Sequence, residues 1–391
     1  MSGRDGGAVR PGARIGFDVT PLVGQRTGVG QYVAGLLRGF GELRDEGIWP
    51  QGRAVALAAF TLRGHREAQR AAGALGWPTA TQGRAVPARL LHAAWSRHDW
   101  PPVEALTGPL QLFHGTNNVL PPTRRAAGSV FVHDLWFLEA HAVLQPAVAR
   151  YRELVPRSVA RAAVVCTSTS IGAEALAATY HLPPERVAVT PLAIRSAFTT
   201  AVPPTVGWKA ARGLPESYIL FVGTQEPRKN LPVLLAAHRA LRAANPDVPV
   251  LCVAGRAGWG PPLDIEGQEG DGIVRTGYLP DVDMPSLVAG ARVLVLPSQD
   301  EGFGLPVLEA FACGVPVVTS DVPALREVAG GHALLVKPGD VEGLMHTLEL
   351  ALHSEQTDPA AVRARRAYAA PFTWRATAAA TLAAWQGAGV W

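Results

Sequence analysis

Residues 301–309, EGFGLPVLE, set two carboxylates around a glycine-rich turn and a proline, directly after the apolar run 293–297. Pro306 suits the first turn of a helix, where a missing N–H costs nothing and the ring already holds a helical φ. A helix is therefore predicted to start near Leu305, with its unpaired amides and positive dipole end facing the end of the preceding strand, the place where α/β proteins hold phosphates. Gly302 and Gly304 would let an anion approach that backbone closely, with the amides of Phe303 and Leu305 assisting. Glu301 and Glu309 then flank the phosphate position. An ionised carboxylate only accepts hydrogen bonds, so hydroxyl groups such as those of a ribose and a hexose are their natural partners.

A second set of chemical residues lies at 226–230, EPRKN, between a strand-like run and a helical pattern from 231. Arg228 offers a forked contact and Lys229 a compact charge. Two cations beside a helix start suit a diphosphate, and their value rises as a leaving group gains negative charge. Gly28-Val29-Gly30 opens a helix after the first strand and could allow close approach to phosphate or to a second substrate. His133, followed by Asp134, ends another strand. His114 ends a further one, and either a substrate-lining or a core role is open to it. Asp18 reads as a structural residue at a strand end. Asp281 and Asp283 form a DxD pair before the run 284–290, and the spacing predicts that one of them caps a helix rather than holding a metal.

These residues need a scaffold that presents strand ends. Short β-branched runs alternate with longer helical patterns, the arrangement that builds parallel sheets by right-handed crossovers. Strands are predicted at 14–19, 54–61, 110–114, 129–133, 163–167 and 186–190, and a second series at 218–223, 249–254, 272–276, 293–297, 315–320 and 333–336. The class is α/β, with two Rossmann-like domains whose parallel sheets are expected to face a central cleft. The expected division is 1–198, a linker at 199–215, 216–372, and a C-terminal helix at 373–391 that either caps the second domain or crosses back to the first.

With 391 residues, 48% hydrophobic and 17% charged, the chain reads as globular and as two domains. Its opening residues carry no apolar core and no stretch reaches 18 uninterrupted apolar positions, so the expectation is a cytoplasmic protein. Cys166, Cys252 and Cys313 lack metal-ligand spacing and are expected in the core. Charge is uneven: residues 1–198 hold 21 Arg, no Lys and 13 acids, net +8, against −4 for the remainder. A basic half suggests an anionic partner, for which peripheral contact with an anionic membrane is one reading and a solvated Arg-rich surface another. No nucleic-acid motif or stacking platform is present, so nucleic acid is not an expected partner.

Taken together, TGVGQYV at 27–33, HD at 133–134, FVGTQEPRKN at 221–230, GYLPDVDMPSL at 277–287 and EGFGLPVLEAFACGVPVVTSDVPALREV at 301–328 resemble glycosyltransferase family 4, the group 1 retaining enzymes of GT-B fold. The resemblance spans most of the chain and is closest in character to bacterial mannosyltransferases of polysaccharide assembly. It implies transfer of a hexose from a nucleotide-diphosphate sugar to a glycan or lipid-linked acceptor by front-face displacement, with no metal and no further cofactor. It also implies roles: Arg228 and Lys229 on the leaving diphosphate, Glu309 on the ribose, Glu301 near the donor hexose, and His133 beside the transferred sugar. A donor of GDP-mannose type is the first expectation and of UDP-glucose type the next. A sugar-nucleotide epimerase on the same fold and a non-catalytic nucleotide-sugar-binding subunit are the alternatives. A pyridoxal-phosphate phosphorylase would need a lysine to hold its cofactor, and only Lys209, Lys229 and Lys337 exist.

Overall fold

The computed structural model describes residues 14–24, 28–49, 53–77, 81–82, 84–138, 149–258, 272–353 and 357–391. The chain divides into two compact units, Met1–Pro191 with Trp374–Trp391, and Leu192–Thr373. Each is built on one parallel sheet.

In the first unit, β1 (Arg14–Asp18), β2 (Ala54–Ala58), β3 (Thr81–Gln82), β4 (Leu112–Gly115), β5 (Ala127–Phe131), β6 (Val164–Thr167) and β7 (Val187–Val189) lie in the order β3-β2-β1-β4-β5-β6-β7. β3 has only two residues, too few to leave a periodic signal, and it was absent from the predicted strands. Central strands such as β4 and β6 are buried at every position, because helices cover both faces of a parallel sheet. Helix α1 (Gly28–Asp45) follows β1, and α2 (Tyr151–Arg161) lies between β5 and β6.

The C-terminal helix Trp374–Gly387 belongs to this first unit, which settles the two placements open from the sequence. It lies along α1. A Cβ at Gly35 would come 2.0 Å from the Trp374 ring, and one at Gly39 2.0 Å from the Trp374 carbonyl, so both glycines are needed for the approach. Further along, the fully buried Trp385 donates its indole N–H to Ser129 Oγ at 3.0 Å.

The second unit orders β8 (Tyr218–Val222), β9 (Val250–Ala254), β10 (Ile273–Gly277), β11 (Val293–Leu296), β12 (Val317–Ser320) and β13 (Leu334–Val336) as β10-β9-β8-β11-β12-β13. Helices α3 (Leu231–Ala244), α4 (Met284–Ala289) and α5 (Leu305–Cys313) are the ones that bear on the site. Leu231, Leu234 and Leu241 of α3 join Ile219, Val253 and Val295 of the sheet in one core.

Two expectations about the boundary need correction. The division falls after Pro191 rather than after residue 198, because 192–198 is bonded into the second unit: Ile194 N–H donates to Phe372 O at 3.2 Å, and Cys313 Sγ lies 3.4 Å from Phe198 O. The stretch 199–215, expected as a linker, also packs there. It holds a short helix, Val206–Ala210, capped by Thr205, whose Lys209 is buried and donates to Glu216 O at 3.1 Å.

Candidate active site

In an open parallel sheet, ligands collect beyond the carboxyl ends of the strands where the strand order reverses. In the second unit the reversal lies between β8 and β11. The loops leaving these two strands carry EPRKN and EGFG.

After β8 the chain makes a 3-10 turn over Pro227–Lys229, then Asn230 adopts a left-handed conformation (φ 52°) before α3. After β11, residues 297–304 lead into α5, which begins at Leu305 as the proline predicted, with Gly304 at φ 97°. A Cβ there would be 2.4 Å from Leu325 Cδ2, so this position excludes larger residues on both backbone and packing grounds. No side chain caps α5. Phe303 and Gly304 are buried, while Gly302 and Leu305 are half-buried.

The two loops are locked together through Glu301, which is 7% exposed. Its carboxylate accepts from Arg228 Nη1 at 2.9 Å, Lys229 Nζ at 2.5 Å and Ser298 Oγ at 2.7 Å. Arg228 also donates to Asp300 O and, through Nη2, to Glu226 Oε1, both at 3.0 Å. Burial alone would raise the Glu301 pKa, but Lys229 and Arg228 outweigh it and bring it down to about 2, so the group is ionised throughout the physiological range. The sequence presented Glu301 and the two cations as separate contributors. The structure makes them one cluster, with Glu226, present in the EPRKN motif but given no role there, and Ser298, which no motif contained, as further members. Two acids balance two cations, so attraction for a diphosphate would come from N–H groups held in fixed directions and from the start of α5, not from net charge.

Glu309 lies just over one turn into α5, at its middle, and is half-buried. Burial raises its pKa to about 7, the Arg195 guanidinium opposes the rise and the Asp281 charge adds to it. It is therefore not the plainly ionised group that the sequence suggested. Arg195, missed in the sequence, donates from Nη1 to Asp281 O at 2.8 Å and stacks on Phe198. Asp283 precedes α4 but does not cap it with its side chain, which takes Arg212 Nη2 at 3.3 Å. For Asp283 the side-chain cap is not made, and its carboxylate pairs with the Arg212 guanidinium instead. Among the described residues no cluster of three or more metal-ligating side chains occurs.

In the first unit the reversal lies between β1 and β4. Gly28 and Gly30 occupy the first turn of α1, and a Cβ at Gly28 would meet nothing within 4 Å; Thr27 lies outside the described residues. His133 follows β5. Its Nε2–H donates to Thr116 O at 2.9 Å and its backbone N–H donates to Asn118 Oδ1 at 2.8 Å. A carbonyl can only accept, so the neutral ring carries its proton on Nε2 and keeps Nδ1 as an acceptor. Burial lowers the His133 pKa, against the Thr116 bond and Asp134. His114 is a core residue, fully buried between Tyr32 Oη and Ser129 Oγ at 3.0 Å each, and burial pushes its pKa down to about 3.

Two parallel sheets in separate units, with glycine-turn and cation loops at strand ends, are the architecture of the GT-B fold. The chain resembles sucrose-phosphate synthase from Thermosynechococcus elongatus (TM-score 0.66, 19% identity, 96% of this chain and 98% of that one). It also resembles Anabaena Alr3699/HepE in complex with UDP-glucose (TM-score 0.66, 16% identity, 95% and 99%). These likenesses speak for the fold. The family described as "Glycosyl transferases group 1" matches residues 216–354, and O-antigen chain mannosyltransferase B of Escherichia coli is 31% identical over 315 residues, 76% of this chain and 78% of that protein. The chain belongs to the group 1 glycosyltransferases.

Proposed function

We propose that this protein is a retaining hexosyltransferase that moves mannose from a guanine-nucleotide sugar to a glycan or lipid-linked acceptor; UDP-glucose is the second donor candidate. The observation that carries the reading is the Arg228–Lys229–Glu301 cluster beside the start of α5, at the switch point of the second sheet. The name of the Escherichia coli relative supports mannose.

In this reading the diphosphate lies against Arg228, Lys229 and the amides at Gly302–Leu305, while Glu309 takes ribose hydroxyls. Glu301 holds the two cations in place and borders the hexose. Within the first unit, His133 Nδ1 remains an acceptor suited to a sugar hydroxyl, and Gly28 and Gly30 leave the start of α1 open to close approach. The bond from hexose C1 to the β-phosphate oxygen breaks, and the acceptor oxygen bonds to C1 on the same face. The bonding electrons leave with the diphosphate, which takes the acceptor's proton, so no protein nucleophile is required. Fixed N–H donors gain strength as that charge develops.

The test is incubation with labelled GDP-mannose or UDP-glucose and uncharged sugar acceptors, with the anomeric configuration of the product read by NMR. An α-linked product from an α-linked donor, formed equally well in the presence of EDTA, is expected. An inverted product defeats the retaining mechanism, and a donor altered without any acceptor identifies an epimerase. Absence of any product leaves the binding-subunit reading.

A further inference from the structure

The proposed function gives tasks to Arg228, Lys229 and Glu301 but none to Glu226, the second acid of the cluster. Glu226 opens the 3-10 turn that carries both cations: its carbonyl accepts from Lys229 N–H at 2.9 Å, and Pro227 holds the first turn. On the other side, Arg228 O accepts from Gln299 N–H at 2.8 Å, which fastens the backbone of the cation loop to the loop after β11. The side chains are held as firmly. The Arg228 guanidinium is gripped between two acids, with Nη1 on Glu301 and Nη2 on Glu226. This set is largely withdrawn from water: the side chains of Glu226, Arg228, Lys229 and Glu301 are 19%, 14%, 14% and 6% exposed.

Glu301 already reaches both cations, so what Glu226 adds is a second grip on Arg228 and a second negative charge. With Glu226 the four groups sum to zero; without it they would sum to one positive charge. That difference bears on one comparison. A nucleotide sugar carries one negative charge on each phosphate, whereas the nucleoside diphosphate left after transfer has a free terminal phosphate. Its second ionisation falls near pH 6, so in mild alkali it holds about one charge more. A cationic cluster would favour the product over the donor by that extra charge. A neutral one does so less, and away from bulk water the effect is weakly screened.

We propose that Glu226 is a positioning residue that tunes the leaving-group site for release: by holding Arg228 Nη2 and offsetting one cation, it lowers the preference for the nucleoside diphosphate product over the nucleotide-sugar donor. The proposal rests on the transferase reading above and adds a determinant of turnover to the same site.

The test compares wild-type protein with Glu226→Gln and Glu226→Asp in mildly alkaline buffer. Calorimetric titration with GDP and UDP gives the product Kd, and initial rates with GDP-mannose or UDP-glucose give the donor KM and the product inhibition constant. Glu226→Gln keeps an acceptor for Arg228 Nη2 and loses the charge. Its product Kd and inhibition constant are expected to fall by roughly 3- to 10-fold, the effect of one unit charge several ångströms away at a dielectric between those of protein and water, while the donor KM falls less. Added salt narrows the gap. Glu226→Asp keeps the charge and keeps the wild-type ratio of product to donor affinity, which a merely structural role would not predict. Should Glu226→Gln fail to fold, Glu226→Ala, which also lacks the charge, carries the test. An unchanged ratio in the uncharged variant, weaker binding of the product by it, or the same shift in Glu226→Asp overturns the proposal and leaves the transferase reading standing. A wild-type protein that binds neither GDP nor UDP and forms no product defeats that reading and this proposal together.

Discussion

Glu309 is where residue chemistry and environment pull apart. Its pKa of about 7, against 4.5 for an ordinary glutamate, means that folding favours the protonated form. A carboxyl with a raised pKa contributes stability that is present below its unfolded value and lost as pH rises through about 7. Ribose hydroxyls, by contrast, bond better to the ionised group. Affinity for GDP or UDP is therefore expected to improve as pH rises through that value, and Glu309→Gln should flatten the difference while stabilising the free protein on the alkaline side. Calorimetric titration of both proteins at matched pH checks this; parallel curves for the two would remove Glu309 from the nucleotide site. Truncation to Ala should weaken nucleotide binding by roughly 10- to 150-fold if one charged hydrogen bond is lost. The residue types and spacing of Glu301, Arg228, Lys229 and Glu309 were legible in the sequence. Their ionisation and mutual pairing were not, since desolvation depends on neighbours such as Arg195, which lies more than one hundred positions away from Glu309 along the chain.

At the scale of elements, periodicity and punctuation were informative. Pro306 marked the start of α5 and the buried VLVL run marked β11. The boundary between units was less so: turn-rich composition at 199–215 suggested a linker, yet Thr205, Lys209 and Leu214 give that stretch a capped helix and a buried side. The contact of the C-terminal helix with α1 was open in the sequence, because an Ala-rich helix with two tryptophans fits more than one groove. Gly35 and Gly39 make the groove. Gly35→Val is expected to destabilise the protein by roughly 1 to 3 kcal/mol, the usual range for overpacking a close contact. Urea unfolding measures it, and an unshifted midpoint would mean that Trp374 moves aside without cost.

At the scale of the whole molecule, the charge difference between the halves, +8 for 1–198 and −4 for the rest, is the ground on which we propose peripheral contact with an anionic membrane surface. The stretch 84–100 carries Arg84, Arg89 and Arg97 beside Leu90 and Trp100, which are 66% and 70% exposed. No described helix is long and apolar enough to cross a membrane. Binding to vesicles containing phosphatidylglycerol should exceed binding to neutral vesicles and fall with salt, while equal binding to both would sink the electrostatic version. The sequence by itself determined the alternation of strands and helices, the two-sheet architecture and the motif residues at strand ends, because these follow from local periodicity and from what proline and glycine permit. Tertiary structure decided the pairing of Glu301 with both cations, the burial that sets Glu309 near neutrality, the core role of His114 and the return of the last helix to the first unit. Those depend on contacts between distant segments, whose strengths are set by burial and distance in space.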